Sequence, residues 1–423
     1  MSMHLPRPKQ QNREENLAER YLRVRQTTHD LCKYLQPEDC VVQTMPDVSP
    51  TKWHLAHTTW FFENFVLEPF CEAYLRHNDH YHFLFNSYYQ SEGQMHARPH
   101  RGLLSRPTLQ EVFDYRRIVD EAVIKLLESS KSGGELKDRL VLGLNHEQQH
   151  QELLLTDIKH VFSCNPLEPS VHPALKLAEA GQTETYHYLP GRSGIQPVGA
   201  EGEGFCFDNE LPRHTELIRE HSMGSRLVSN GEFLEFIRDG AYTNPALWLS
   251  DGWATVEERN WKRPLYWNEA CDSEFTLGGR RALDLNAPVC HVSFYEADAF
   301  ARWSGARLPT EFEWEIAASE HPVNGNLLDS GFWHPTAAAG ESRQFYGDVW
   351  EWTCSSYAPY PGFQPLKGSL GEYNGKFMCN QMTVRGGSCV SAREHIRASY
   401  RSFFYPDARW QFLGFRLARD GRP

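Results

Sequence analysis

The chain changes its hydrophobic rhythm near residue 165, and that change restricts it to architectures with two unlike units. Before this point apolar residues recur at helical spacing in about four segments, roughly 13–36, 50–67, 107–130 and 136–162, which predicts a helical bundle. Two helix starts are spelled out: Ser49 as a cap with Pro50 at the first helical position, and Ser105 with Pro107 in the same style. Beyond residue 165 the rhythm is lost. Ten of the twelve tryptophans lie after residue 240, glycines are frequent, and short apolar runs such as APVCHVSF alternate with turns, which predicts an irregular α+β domain. Residues 165–185 (NPLEPSVHPALKLAEAGQTET) hold prolines and few large apolar side chains, so they are expected to link a unit at 1–164 to one at 186–423. A chain of 423 residues is long enough for two cores.

Charge narrows the partners. Lys and Arg number 43 against 55 Asp and Glu, a net charge of -12, which argues against a protein that tracks nucleic-acid phosphates and for a small-molecule partner. The start, MSMHLPRPKQQNREENLAER, has no apolar signal core, and no later run reaches the roughly eighteen apolar residues of a membrane span. A cytoplasmic protein is expected. Ten cysteines are scattered from Cys32 to Cys389 without a CxxC pair, so they read as reduced, mostly buried thiols rather than a zinc ribbon.

Within LNHEQQHQEL (144–153), His146 and His150 are one helical turn apart and project toward one ion. The spelling HEQQH matches the HExxH of zinc proteases, but its further requirements fail. A histidine six residues after the second would be needed for a metzincin, where this chain has Thr156, and the nearest downstream carboxylate, Glu168, sits between Pro166 and Pro169. The third ligand is better sought in SPTKWHLAHTTWFFENF, where His54 and His57 are both candidates. His57 has Trp60 and Phe61 at i+3 and i+4, which places it on the inward stripe, so His57 is preferred. Glu152 lies about 200° around the helix from His150 and is expected to play a supporting or surface role. Gln149 faces the side of the histidines and could hydrogen-bond a bound ligand.

Between the second and third helical segments runs a connection of about forty residues, far longer than a compact bundle needs. It carries paired phenols in FNSYYQ, Tyr88 and Tyr89, and Arg98, Arg101 and Arg106 in ARPHRGLLSR. Phenols can donate a proton, and guanidinium groups bind carboxylates with two parallel hydrogen bonds.

WHLAHTTWFFE, FNSYYQ and NHEQQHQE, followed by FDNELPRH, PVCHVSFYEADAFARWSGARLPTEFEWE, GDVWEWT, GEYNGKFMCNQ, VRGGS and RWQFLGFRLAR, resemble the ergothioneine-biosynthesis sulfoxide synthases, the EgtB-like enzymes, over roughly residues 15–420. The resemblance implies an N-terminal DinB-like four-helix bundle followed by a C-type-lectin-like α+β domain of the formylglycine-generating-enzyme type. It implies non-haem iron(II) on His57, His146 and His150, with Glu147 not a protease base. It further implies an oxygen-dependent reaction joining a thiol to C2 of the imidazole of hercynine, the N-alpha-trimethyl derivative of histidine, as a sulfoxide. Cysteine is the expected donor over gamma-glutamylcysteine. Tyr88 or Tyr89 would steer the reaction away from simple thiol oxidation, Gln149 would touch the hercynine imidazole, and Arg98 and Arg101 would hold the thiol's carboxylate. The fixed trimethylammonium needs aromatic faces, for which Phe403 and Phe404 are the expected residues. After VRGGS only Cys389 follows, so the paired thiols of a copper-binding oxidase are missing, and GDVWEWT and RLPTEFEWE read as structural. Three other functions fit the same residues: a selenoneine-type synthase taking a selenosugar, a DinB-type metal-dependent thiol transferase needing no oxygen, and a non-enzymatic ligand-binding module on a helical stalk.

Overall fold

The computed structural model describes residues 16–129, 133–176, 178, 185–202, 204–338 and 343–421. Its N-terminal part is a bundle of four long helices: α1 (Leu17–Leu31), α2 (Thr51–Phe62), then past the short helix α3 (Asp79–Phe85) the helices α4 (Leu109–Ser129) and α5 (Glu135–Ser163). Residues 13–15, where the first helical segment was expected to start, lie outside the described residues.

Local chemistry sets the ends. Asn16 caps α1 by accepting from the Ala18 N–H. The helix α4 does not start at Pro107. Thr108 and Glu111 cap each other instead, the Thr108 N–H donating to Glu111 at 2.6 Å and the Glu111 N–H to Thr108 Oγ1 at 3.2 Å. Nor does Ser49 cap α2, because its N–H donates to Asp157 and its hydroxyl accepts from Arg101.

Every residue of α2 is buried, polar and apolar alike, so it is the central helix of the bundle rather than an amphipathic outer one. It runs on through a wider π-helical turn, Glu63–Leu67. The long connection to α4 is ordered by α3 and by two short turns, Gln90–Glu92 and Arg98–Leu103.

The C-terminal part is α+β. A three-stranded sheet has the order β1 (Tyr188–Pro190), β4 (His221–Gly224), β11 (Ala418–Asp420), all antiparallel. A four-stranded sheet has the order β10 (Leu413–Gly414), β7 (Trp350–Ser356), β8 (Met382–Arg385), β9 (Ser402–Phe404), with only β10 and β7 parallel. Hairpins β2 (Gly194–Val198) with β3 (His214–Ile218) and β5 (Ser273–Thr276) with β6 (Gly279–Ala282) complete the strands. Helices α6 (Asn230–Arg238), α8 (Phe294–Trp303) and α9 (Glu311–Ala318) each begin with a reciprocal cap, Ser229 with Glu232, Ser293 with Glu296 and Thr310 with Glu313, while α7 (Ser250–Arg259) lacks one. The acids of RLPTEFEWE and GDVWEWT are paired inside: Glu311 with Arg385 and Arg401, Glu313 with Arg307, Glu351 with Arg416. Trp314 and Trp352 are fully buried beside them.

One continuous apolar core runs through both parts. The helix α5 ends at Ser163 and β1 begins at Tyr188; of the expected linker 165–185, residues 177 and 179–184 lie outside the described residues. Polar contacts between the two parts concentrate on α5. Glu152 accepts from Trp350 Nε1 at 2.8 Å, Ser388 Oγ at 2.5 Å and Ser391 Oγ at 2.6 Å. Lys159 Nζ meets His291 Nε2 at 2.6 Å, and Asp157 accepts from Trp410 Nε1 at 3.2 Å.

Candidate metal centre

One helical turn separates His146 from His150 on α5, and α2 brings His57 against them. One ligand atom from each of the three lies within 4.8 Å of the other two, and His57 Nε2 is 3.2 Å from His146 Nε2. No other described group of His, Cys, Asp or Glu forms such a cluster. Burial lowers all three pKa values, with neighbouring histidines adding to it at His57 and His150, and His146 reaches about 3. All three rings are therefore neutral near pH 7.

Hydrogen bonds behind the rings fix which nitrogen is bare. Phe85 O lies 2.6 Å from His57 Nδ1 and can only accept, so Nδ1 carries the proton and Nε2 presents a lone pair. His54 Nε2 is 3.0 Å from Asp157 Oδ2, and the same carboxylate also accepts from Ser49 N–H and Trp410 Nε1. The His54 Nε2 thus donates, and a singly protonated His54 ring then accepts at Nδ1 from His150 Nδ1, 2.9 Å away, which leaves the His150 Nε2 bare. Lone pairs that converge in a buried pocket repel unless a cation sits between them. A divalent metal fits this donor set, and the carbonyl and His–Asp partners are the orienting contacts that metal-binding histidines use. His54, the alternative ligand, instead orients His150.

The Glu147 of the protease-like spelling points elsewhere. It is fully buried and accepts from Arg25 at 2.7 Å, Arg116 at 2.8 Å and Thr28 at 2.7 Å. Burial pushes its carboxyl up, but the Arg25 and Arg116 charges outweigh this and hold it down at about 2. Glu152, expected as a supporting or surface group, is buried and binds the C-terminal part.

Around the histidines the remaining candidates separate. The Arg101 guanidinium is buried 3.3 Å above the Trp53 ring, the indole that also stacks on His57 at 4.6 Å; its NH1 donates to Ser49 Oγ and its Nε has no hydrogen-bond partner among the described residues. Arg98 is exposed and donates to Asp47 O, so the two arginines are not equivalent. Tyr89 is buried against Phe65 and Trp60, and Tyr88 packs 4.6 Å from it and 5.3 Å from Phe377. Gln149 is held at both ends by the C-terminal part: its Nε2 donates to Tyr400 OH at 2.6 Å, and its Oε1 accepts from Tyr373 OH. Phe403 and Phe404 are successive residues of β9 and face opposite sides. Phe403 stacks on Tyr357 at 4.0 Å, whereas Phe404 is half-buried and meets Trp410 edge-on at 6.4 Å. They do not form one aromatic wall.

Sequence reasoning missed Tyr373. Its ring lies 5.6 Å from His146, and it lines a cavity of about 830 Å³ between the bundle and the α+β part, together with Leu142, Phe207, Asp208 and Leu370. The motif GEYNGKFMCNQ contained it, but that stretch folds as short turns with no periodicity to assign a facing side.

Fold and site together define a four-helix bundle with a buried three-histidine centre, closed over by an α+β domain. The model for the DinB superfamily matches residues 20–154, and that for the sulfatase-modifying factor enzyme 1-like domain matches 178–342 and 335–421. The chain is 30% identical to the hercynine oxygenase of Mycobacterium tuberculosis, over 96% of this chain and 99% of that protein. Identity to the hercynine oxygenase of Mycolicibacterium smegmatis is 35%, covering 67% of this chain and 72% of that protein. Ergothioneine biosynthesis protein 1 of Schizosaccharomyces pombe is 28% identical, over 51% of this chain and 28% of its own length. The chain belongs to the EgtB-like family.

Proposed function

We propose that the chain is an oxygenase-type enzyme of ergothioneine biosynthesis that joins a thiol to C2 of the hercynine imidazole as a sulfoxide, using iron(II) and dioxygen. The observation that carries the reading is the buried convergence of bare His57 and His150 nitrogens on His146, in a chain aligned along nearly its whole length with a hercynine oxygenase. His57, His146 and His150 would hold the iron. Iron(II) held there would supply the redox chemistry that activates dioxygen.

The protein's own groups do the rest. Arg101, buried with an unpartnered Nε, binds the carboxylate of the thiol donor, and Trp53 keeps its guanidinium flat beside the centre. Arg98, tied to a backbone carbonyl at the surface, contributes long-range charge. Gln149 meets the substrate imidazole. Tyr88, Tyr89 and Tyr373 hold the protons the reaction needs, since burial raises all three phenol pKa values and keeps the hydroxyls protonated. Phe404 offers an aromatic surface to the trimethylammonium group. The paired phenols of FNSYYQ favour cysteine as donor over gamma-glutamylcysteine. Among the described residues no helix is long and apolar enough to cross a membrane. The ten free thiols fit a reducing cytoplasm.

The test is turnover of hercynine under air with cysteine, gamma-glutamylcysteine and a selenosugar, followed by oxygen uptake and product mass. Sulfoxide with cysteine supports the reading. Turnover only with the selenosugar replaces it with selenium–carbon bond formation, and thiol transfer without oxygen uptake with the transferase.

A further inference from the structure

Gln149 is the last member of a buried hydrogen-bond chain whose direction can be read from its far end. The carbonyl of Val141 can only accept, so Asn145 must turn its Nδ2 to it, at 2.9 Å, and its Oδ1 toward His395. His395 Nδ1, 2.9 Å from that oxygen, must donate. His395 is 1% exposed and its pKa is lowered by burial, then by Arg397 and Arg20, so the ring is neutral and its Nε2 is an acceptor. Tyr400 OH, 2.8 Å from Nε2, then donates to it and has only lone pairs left for Gln149. The amide end of Gln149 facing Tyr400 at 2.6 Å is therefore the NH2, and the carbonyl faces Tyr373, whose ring stands over His146.

We propose that Asn145, His395 and Tyr400 are positioning residues that lock the Gln149 carbonyl toward the three-histidine centre, making the site selective for an imidazole that presents an N–H. An imidazole approaching a metal through one nitrogen carries its proton on the other. The Gln149 oxygen, with one lone pair engaged by Tyr373, has a second to receive it. A flipped amide would present its own N–H groups and repel the same substrate. The chain crosses from α5 to the C-terminal part and back, so the α+β domain sets the polarity of a side chain in the bundle. This inference rests on the proposed hercynine reaction for its substrate, but not for the orientation of the chain.

The test compares His395→Phe and His395→Gln with the parent protein, full length, by calorimetric binding of hercynine, KM for cysteine, bound metal and ¹⁵N spectra of the His395 ring. His395→Phe should weaken hercynine binding about five- to tenfold, the worth of one neutral hydrogen bond, while cysteine KM and bound metal stay at parental values. His395→Gln can still accept the Tyr400 proton and should recover most of the loss. An analogue whose imidazole is replaced by thiazole, with no N–H, should bind parent and His395→Phe alike. Parental hercynine affinity in His395→Phe, joint loss of both substrates and metal, or no recovery in His395→Gln overturns the proposal. If the parent itself does not bind hercynine, the proposed reaction fails, and the ring spectrum alone decides the chain: the proton on Nδ1 upholds it and the proton on Nε2 overturns it.

Discussion

His54 Nδ1 lies 2.9 Å from His150 Nδ1, with the Asp157 carboxylate 3.0 Å behind on the other side of the His54 ring. A histidine that sequence reading weighed as a ligand thus braces the ring of His150, one of the three proposed ligands. Alanine at His57, His146 or His150 should abolish tight iron binding, whereas His54→Ala or Asp157→Asn should lower metal affinity by about 10- to 100-fold. Metal titration of the apo-protein, with circular dichroism to verify folding, checks the ranking. His54→Ala without metal and His57→Ala with it would reverse the assignment.

Glu147 is predicted to act on stability and not on hydrolysis. Glu147→Gln leaves Arg25 and Arg116 buried without their counter-charge and should lower unfolding free energy by about 3 to 5 kcal/mol. Its folded pKa of about 2 is below the ordinary carboxylate value of roughly 4.3, so the contribution is complete above that value and disappears as pH falls through about 2. Urea midpoints of both proteins against pH measure this; equal midpoints at pH 7 would refute it.

The two arginines should part company. Arg101→Ala should weaken the apparent affinity for the thiol donor by about 2 kcal/mol, roughly thirtyfold, with hercynine affinity held. Arg98→Ala, at the surface, should cost a fraction of that and mostly at low salt. Equal losses for both substrates in Arg101→Ala would indicate that only the packing over Trp53 was disturbed.

Loss of a phenol hydroxyl should alter the product more than the binding. Tyr88→Phe or Tyr89→Phe should keep both substrate affinities and move the ratio of sulfoxide to oxidised thiol toward the latter, read by mass spectrometry. Parental ratios in both variants exclude the role and leave Tyr373.

Phe404→Leu keeps apolar volume and removes the ring's quadrupole. Hercynine affinity should fall by about 1 kcal/mol and that of plain histidine by much less, because only hercynine carries the fixed cation. Binding calorimetry with both ligands decides; Phe403→Leu, whose ring is already stacked on Tyr357, should leave the ratio unchanged.

What could be read from the sequence was what depends on near neighbours. The pairing of His146 with His150 follows from helical pitch, whereas an inward stripe could not separate His57 from His54, because every face of α2 is buried. The brace of His150 was hidden because Asp157 lies 103 residues from His54 along the chain. Ser49 spells a helix cap, but Arg101 and Asp157 claim its polar groups. Phe403 and Phe404 look like a pair in sequence and are separated by the alternation of a strand. The bundle and the α+β domain were legible as classes because one has a period and the other lacks it.

The stretch of α5 from Asn145 to Lys159 has neighbours in all directions: the centre through His146 and His150, the bundle's buried arginines through Glu147, the α+β domain through Asn145, Gln149, Glu152 and Lys159. Each added or deleted residue in a helix turns everything beyond it by about 100° and shifts it by about 1.5 Å. Substitutions can be absorbed one contact at a time, but a change of length here would put the histidine cluster, the ion pairs and the docking surface out of phase together. Insertions and deletions in the gene should therefore be tolerated in the loops on either side and never within these fifteen codons, which behave as a single fixed gauge between the two halves.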